Sequence, residues 1–225
     1  SITVHKTTEG QKNIEGIKFY LRGTSDSGRA IDIPATTDKD GIAKFDGVPI
    51  GTYMVIEDEE TVPYGYLVAD EKEVKVEYAQ TIDETILNNE QTGTVKVHKK
   101  TADMTNVEGI RFILSGISDT GREIRIAATT DKDGLAKFEG VPVGTYTITE
   151  DGSTVPYGYL VADSKQVTVA YAQTVDTDMV NEKAPDTPNT GVTDNDSDGS
   201  KALCSVAIIL AGAAIVMFSR KRKER

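Results

Sequence analysis

The segment TVPYGYLVAD occupies residues 61–70 and recurs letter for letter at residues 154–163. Outward from it, ATTDKDG at 35–41 returns at 128–134, and GTY at 51–53 returns at 144–146, each displaced by the same 93 positions. At that offset Ser1–Glu90 aligns without a gap on Thr94–Lys183, with 54 identities in 90 pairs. Self-similarity at a fixed spacing marks a structural unit used more than once. The expectation is two tandem domains, residues 1–90 and 94–183, with Asn89–Gly93 as the joint. A joint so short predicts a stiff pair rather than two freely moving beads.

Within each repeat apolar residues alternate with polar ones, the period of a strand with one buried face. Ile2 and Val4, then Ile17, Phe19 and Leu21, then Val74, Val76 and Tyr78 are examples. Turn formers separate the runs: Ser25-Asp26-Ser27-Gly28, Asp38-Lys39-Asp40-Gly41 and Pro63-Tyr64-Gly65. About seven short strands per repeat, and no long segment of helical period, predict an all-β fold of two antiparallel sandwiches. Domains of this size bury a modest core and often need a staple.

Composition narrows the function. The 225 residues carry 36 acids against 25 bases, a formal charge of −11. That balance argues against nucleic acid as a partner, because such binding rests on basic patches. The single cysteine, Cys204, forms no internal disulfide and no multi-cysteine zinc site, and two histidines with no tryptophan leave little for a histidine-based active site. No phosphate-loop glycine pattern or G-x-S-x-G elbow is present. The reading is a non-enzyme with no cofactor and no metal site. The pairs Asp38/Asp40 and Asp131/Asp133 read as turn residues, and His5 and His98 alternate with core positions and are expected to face solvent.

Strand phase supplies a candidate staple. Ile2 and Val4 lead in phase to Lys6, Tyr53 and Val55 to Glu57, and Ile86 to Asn88. The second repeat gives Lys99, Glu150 and Asn181 at the matching places. Each repeat therefore aims a lysine, a glutamate and an asparagine inward. Burial lowers a lysine pKa and raises that of a glutamate. A neutral amine facing a side-chain amide is a nucleophile, and a protonated glutamate bonded to the amide carbonyl polarises it and passes protons as ammonia leaves. The product is a Lys–Asn isopeptide bond. The other readings of the same residues are a buried ion pair beside a hydrogen-bonded asparagine, or strand-end residues that reach water.

VHK near the start, GTYMVIE and GTYTITE ahead of PYGY, and the asparagines of ILNN and MVNE resemble the collagen-adhesin B-type domains. These domains, also called SpaA-like or prealbumin-like, belong to Gram-positive surface proteins and pilins. The resemblance covers residues 1–183 and implies a Greek-key sandwich of the inverse-immunoglobulin, prealbumin-like kind. It also implies cross-links Lys6–Asn88 assisted by Glu57 and Lys99–Asn181 assisted by Glu150. The family pattern E-T-x-x-P-x-G-Y is stretched here by two residues, since each proline lies six positions after its glutamate. Glu59 is thereby an alternative in the first repeat, but Gly152 at the matching place favours Glu57. Each bond would close a loop of about 82 residues, worth roughly 4.5 kcal/mol if the disulfide loop-entropy relation transfers.

The remaining residues read as an address. Residues 184–200 form a polar linker containing Thr187-Pro188-Asn189-Thr190-Gly191, which resembles the L-P-x-T-G sorting signal of wall-anchored proteins with threonine in place of leucine. Ala202–Phe218 is a 17-residue run without charge, and residues 219–225 are basic. As a helix the run spans about 25 Å, at the short end for a bilayer, and the bases after it place the C-terminus in the cytoplasm. The resemblance implies a sortase that cuts between Thr190 and Gly191 and joins the Thr190 carbonyl to peptidoglycan, with membrane retention only before sorting. Asp194–Gly199 matches the opening of a calcium loop, but Ser205 stands where its closing glutamate belongs, so it reads as an acidic spacer.

The expectation is an extracellular, wall-anchored adhesin stalk of two self-cross-linking sandwiches, followed by a linker and one transmembrane helix. Strand alternation already under way at Ile2, with no signal peptide, predicts a longer parent chain. Its N-terminal region would meet a host or matrix ligand. A basal or tip pilus subunit, or the wall tether of an enzyme lying upstream of Ser1, are the alternatives.

Overall fold

Alternation sets the strands. In β1 (Ile2–Thr8) every second residue from Ile2 to Thr8 is buried, and the same pattern recurs in β5 (Gly51–Glu57). The computed structural model describes residues 1–10, 14–103 and 107–185. The sorting motif, the apolar run and the basic tail lie outside the described residues. Repeat 1 is completed by β2 (Lys18–Ser25), β3 (Ala30–Thr36), β4 (Ile42–Phe45), β6 (Lys72–Val76) and β7 (Ile82–Asn88). Repeat 2 uses β8 (Thr92–Thr101), β9 (Arg111–Ser118), β10 (Glu123–Thr129), β11 (Leu135–Pro142), β12 (Gly144–Glu150), β13 (Lys165–Val169) and β14 (Thr174–Asn181).

Each repeat is a sandwich of a three-stranded and a four-stranded sheet. The orders are β4-β1-β7 and β3-β2-β5-β6 in repeat 1, and β11-β8-β14 and β10-β9-β12-β13 in repeat 2. The inner faces make two separate cores, one around Ile2, Val4, Phe19, Leu21, Phe45 and Tyr53 and the other around the matching residues of repeat 2. Pro34 interrupts no ladder because β3 is an edge strand. Antiparallel pairing, expected throughout, fails at one place in each repeat. The first strand pairs parallel with the last, β1 with β7 and β8 with β14. The rest of the domain lies between those strands in sequence and supplies the long crossover a parallel pair needs. Tyr78 also departs from expectation: β6 ends at Val76, and a turn with Ala79 at φ 55° turns the ring out, 88% exposed.

Asp38–Gly41 is a turn built against β1. Asp38 Oδ1 accepts from the amides of Asp40 and Ile42, at 2.9 and 3.0 Å, and these bonds hold its carboxyl below the usual carboxylate pKa. Gly41, at φ +75°, accepts from the Lys6 amide at 2.7 Å. A Cβ there would sit 2.8 Å from the Lys6 carbonyl oxygen. Gly134 repeats the arrangement at φ 72°, with its carbonyl 2.8 Å from the Lys99 amide.

The joint is shorter than the sequence implied, because Thr92 and Gly93 already belong to β8. The Gln91 amide donates to Gly65 O at 2.7 Å, and the Val143 amide donates to Gln91 O at 2.9 Å. One residue thus bonds to both sandwiches. Beside it Glu90, 3% exposed, is bound by Arg122 and by the Thr120 hydroxyl. Burial, reinforced by the Glu90 charge, pushes the nearby Tyr146 phenol up to about 12.

Gly41→Ala is expected to cost repeat 1 about 3 kcal/mol, combining left-handed strain with displacement of β1. Gly28→Ala, where φ is +83° but no atom lies within 4 Å of the added carbon, costs about 1 kcal/mol. Equal losses at the two sites in urea unfolding would contradict this placement of β1.

Candidate functional site

Three strands from both sheets bring three polar side chains to one point in each core. β1 and β7 lie side by side in the three-stranded sheet, in a register that pairs Lys6 with Ile86 and Thr8 with Asn88. Lys6 and Asn88 are therefore diagonal neighbours, and both are buried, at 2% and 0% exposure. β5 of the opposite sheet delivers Glu57 from across the sandwich.

The glutamate sits between the other two. Lys6 Nζ lies 3.1 Å from Glu57 Oε1, and it donates to the Ile86 carbonyl at 3.2 Å. Asn88 Nδ2 donates to Glu57 Oε2 at 2.8 Å and to Leu67 O at 2.6 Å. The Ala69 amide donates to the same Oε2 at 2.8 Å. Repeat 2 reproduces the set: Lys99 Nζ to Glu150 Oε1 at 2.9 Å, Asn181 Nδ2 to Glu150 Oε2 at 2.5 Å and to Leu160 O at 2.7 Å, and the Ala162 amide to Oε2 at 2.8 Å.

The amide orientation differs from the sequence-based expectation, in which the glutamate would bond the asparagine carbonyl. The Leu67 carbonyl only accepts, so it turns Nδ2 toward itself and toward Glu57. Asn88 Oδ1 and Asn181 Oδ1 are left buried with no hydrogen-bond partner among the described residues. An orphaned acceptor of this kind is rare in a folded core. Its presence at the same place in both repeats marks the amide as a site under constraint.

Burial pushes the Lys6 and Lys99 amines below the ordinary lysine pKa, against the opposing effect of the adjacent carboxylates. Taking an ammonium out of water favours the neutral amine, whereas the paired carboxylate favours the ion. The net direction is toward a base that gives up its proton more readily than a surface lysine does.

Other sequence candidates fall elsewhere. Glu59 is exposed, in a short 3-10 turn, Glu59–Thr61, that follows β5. Gly152–Thr154 forms the equivalent turn in repeat 2. His5 and His98 point outward beside Asp83 and Asp176, at 3.4 and 2.9 Å. Tyr64 and Tyr157 are exposed, whereas Tyr66 is buried and donates to Glu9 O at 3.0 Å. Sequence reasoning passed over Leu67, Ala69 and Glu90. The first two act through backbone atoms, which carry no sequence signal. Glu90 was visible only as a position where the repeats disagree, with Lys183 opposite.

A family model for the SpaA prealbumin-like fold domain matches residues 1–91 and again residues 93–183. Among solved structures, the Bacillus anthracis TIE protein aligns at 23% identity with a TM-score of 0.55, over 81% of this chain and 33% of that one. The chain thus spans a third of the length of that relative. The minor pilin GBS52 of Streptococcus agalactiae aligns at 19% identity and TM-score 0.40, over 84% of this chain and 98% of its own. The shaft pilin spaA of Lactobacillus rhamnosus GG aligns at 17% and 0.38, over 83% and 98%. A comparison with curated proteins finds no match. Two family matches, back to back over the repeated sequence, place the chain in the SpaA family of prealbumin-like fold domains.

Proposed function

We propose that each repeat closes a Lys–Asn isopeptide bond, Lys6–Asn88 and Lys99–Asn181, and that the pair serves as the cross-linked stalk of a wall-anchored adhesin. The observation that carries this reading is the buried lysine–glutamate–asparagine cluster, repeated with the same contacts in both sandwiches. Lys6 Nζ first passes a proton to the Glu57 carboxylate and becomes neutral. Its lone pair attacks Asn88 Cγ, forming the new C–N bond. The bond from Cγ to Nδ2 then breaks. Glu57, within hydrogen-bond reach of Nδ2, returns a proton to the leaving nitrogen, which departs as ammonia. The attacking Nζ gives up its surplus proton through the Glu57 carboxylate to the departing ammonia, so one lysine ammonium and one amide give one secondary amide and one ammonium ion, with no change of oxidation state. Glu57 ends as it began, so the reaction runs once per domain and the protein is not a turnover enzyme.

The bond would join neighbouring parallel strands at the two ends of the domain. Tension entering at β1 would leave at β7 through covalent structure, without peeling the sandwich. Family membership fits a pilus subunit as well as an adhesin stalk. Anchoring rests on the sequence signal alone. A sortase would cut between Thr190 and Gly191, and the Thr190 carbonyl would pass to a peptidoglycan amine.

The mass of the intact chain, purified from a heterologous cytoplasm, is expected to fall short of the sequence mass by two ammonia masses. Glu57→Gln and Lys6→Ala should each restore one of them, and a full sequence mass in the unaltered chain would eliminate the cross-links. Closure should accelerate as pH rises toward the ordinary lysine range, because the neutral fraction of a lysine whose pKa burial lowers grows in that direction. Mass spectrometry of freshly refolded chain, sampled over time, would refute the lysine's role as nucleophile if the rate fell with rising pH. Incubated with a sortase and an amine acceptor, the full chain should be cut after Thr190, and Thr190→Ala should block it. Cleavage elsewhere would reject the sorting signal.

A further inference from the structure

The socket that repeat 2 offers to repeat 1 is present, unfilled, on repeat 1 itself. In repeat 2 the socket comprises Thr120, Arg122 and Val143, which receive Glu90 and Gln91. Ser27, Arg29 and Ile50 stand at the matching positions of repeat 1, 93 residues earlier.

The two faces are built alike. Ser118 Oγ lies 2.7 Å from Thr120 Oγ1 and accepts from the Arg122 amide at 3.0 Å. Ser25 Oγ lies 2.9 Å from Ser27 Oγ and accepts from the Arg29 amide at 3.0 Å. The Asp119 amide donates to Val143 O at 3.0 Å, as the Asp26 amide does to Ile50 O at 2.9 Å. Tyr146 and Tyr53 brace the segment from below, through Pro142 O and Pro49 O. They differ at the rim: β11 runs on to pair Val141 and Pro142 with Gly93 and Thr92, whereas β4 ends at Phe45, and Val143 is 1% exposed under the joint while Ile50 is 44% exposed. A large aliphatic side chain is left in water beside an exposed arginine.

Charge selects what fits. In the filled socket the guest is a carboxylate, Glu90, buried against Arg122. The far end of repeat 2 carries Lys183 in the place of Glu90, paired with Asp103 at 2.9 Å. A lysine brought against Arg29 would repel it. The end of repeat 2 is therefore excluded as guest, and a second copy of this chain cannot fill the socket, since its Glu90 is already engaged.

We infer that the Ser27–Arg29–Ile50 face of repeat 1 is a docking socket for a further sandwich of this repeat type, joined ahead of Ser1 and carrying a carboxylate in the place of Glu90. Repeat 1 accepts a neighbour through this face, and Lys183 gives the end of repeat 2 the opposite charge from Glu90. This inference stands independently of the cross-links.

The test adds one more copy of residues 1–93 directly ahead of Ser1 of the full chain and follows amide hydrogen exchange at Ile50. The Val143 amide serves as the internal reference for a filled socket. Docking should slow exchange at Ile50 by about tenfold or more relative to the unextended chain. Glu90→Lys within the added copy, or Arg29→Glu in the host repeat, should return it to the unextended rate. Ile50 exchange unchanged by the extension would overturn the inference. So would equal protection with lysine in place of the guest glutamate, or protection in the unextended chain that grows with its concentration.

Discussion

A lysine and its glutamate partner, both taken out of water between two β-sheets, are the constraint around which each sandwich is arranged. Removing the charged form of either from water costs several kcal/mol unless a partner and hydrogen bonds offset it. Here the offset comes from the opposite sheet, through Glu57 to Lys6 and Glu150 to Lys99. The cluster therefore fixes the distance between the sheets and the register of the first strand against the last. The Asp38–Gly41 turn reinforces this by bonding to the Lys6 backbone. An apolar core of the same volume would tolerate small slips of one sheet over the other, whereas a buried ion pair with directional bonds does not.

The same cluster holds an unusual reserve. Both asparagine carbonyl oxygens lack a donor among the described residues, while the glutamates accept from the asparagine nitrogen and from a backbone amide. A core evolved only for stability would have filled those positions with apolar residues or satisfied them. In the proposed cross-linking reading, the alignment of amine, carboxylate and amide is what leaves the carbonyl without a partner.

Among the positions at which the repeats differ are those at the joint and at its counterpart on repeat 1. Glu90 answers Lys183, Ser27 answers Thr120, and Ile50 answers Val143. These exchanges leave the core intact and change what each end can meet.

Much was legible in the sequence. A period of two identifies which residues face inward, so Lys6, Glu57 and Asn88 could be placed in the core from Ile2, Tyr53 and Ile86 alone, and the exact offset of 93 doubled the observation. The sequence determined the strands, the two-domain division and the inward aim of the three polar residues, because side-chain direction along a strand is a local property. Only the tertiary structure decided the parallel pairing of β1 with β7, the turn of the Asn88 amide toward Leu67, and the burial of Glu90. Each depends on groups far apart in the chain, and two of them on backbone atoms that every residue shares. Local periodicity says which way a side chain points, and only packing says what it meets there.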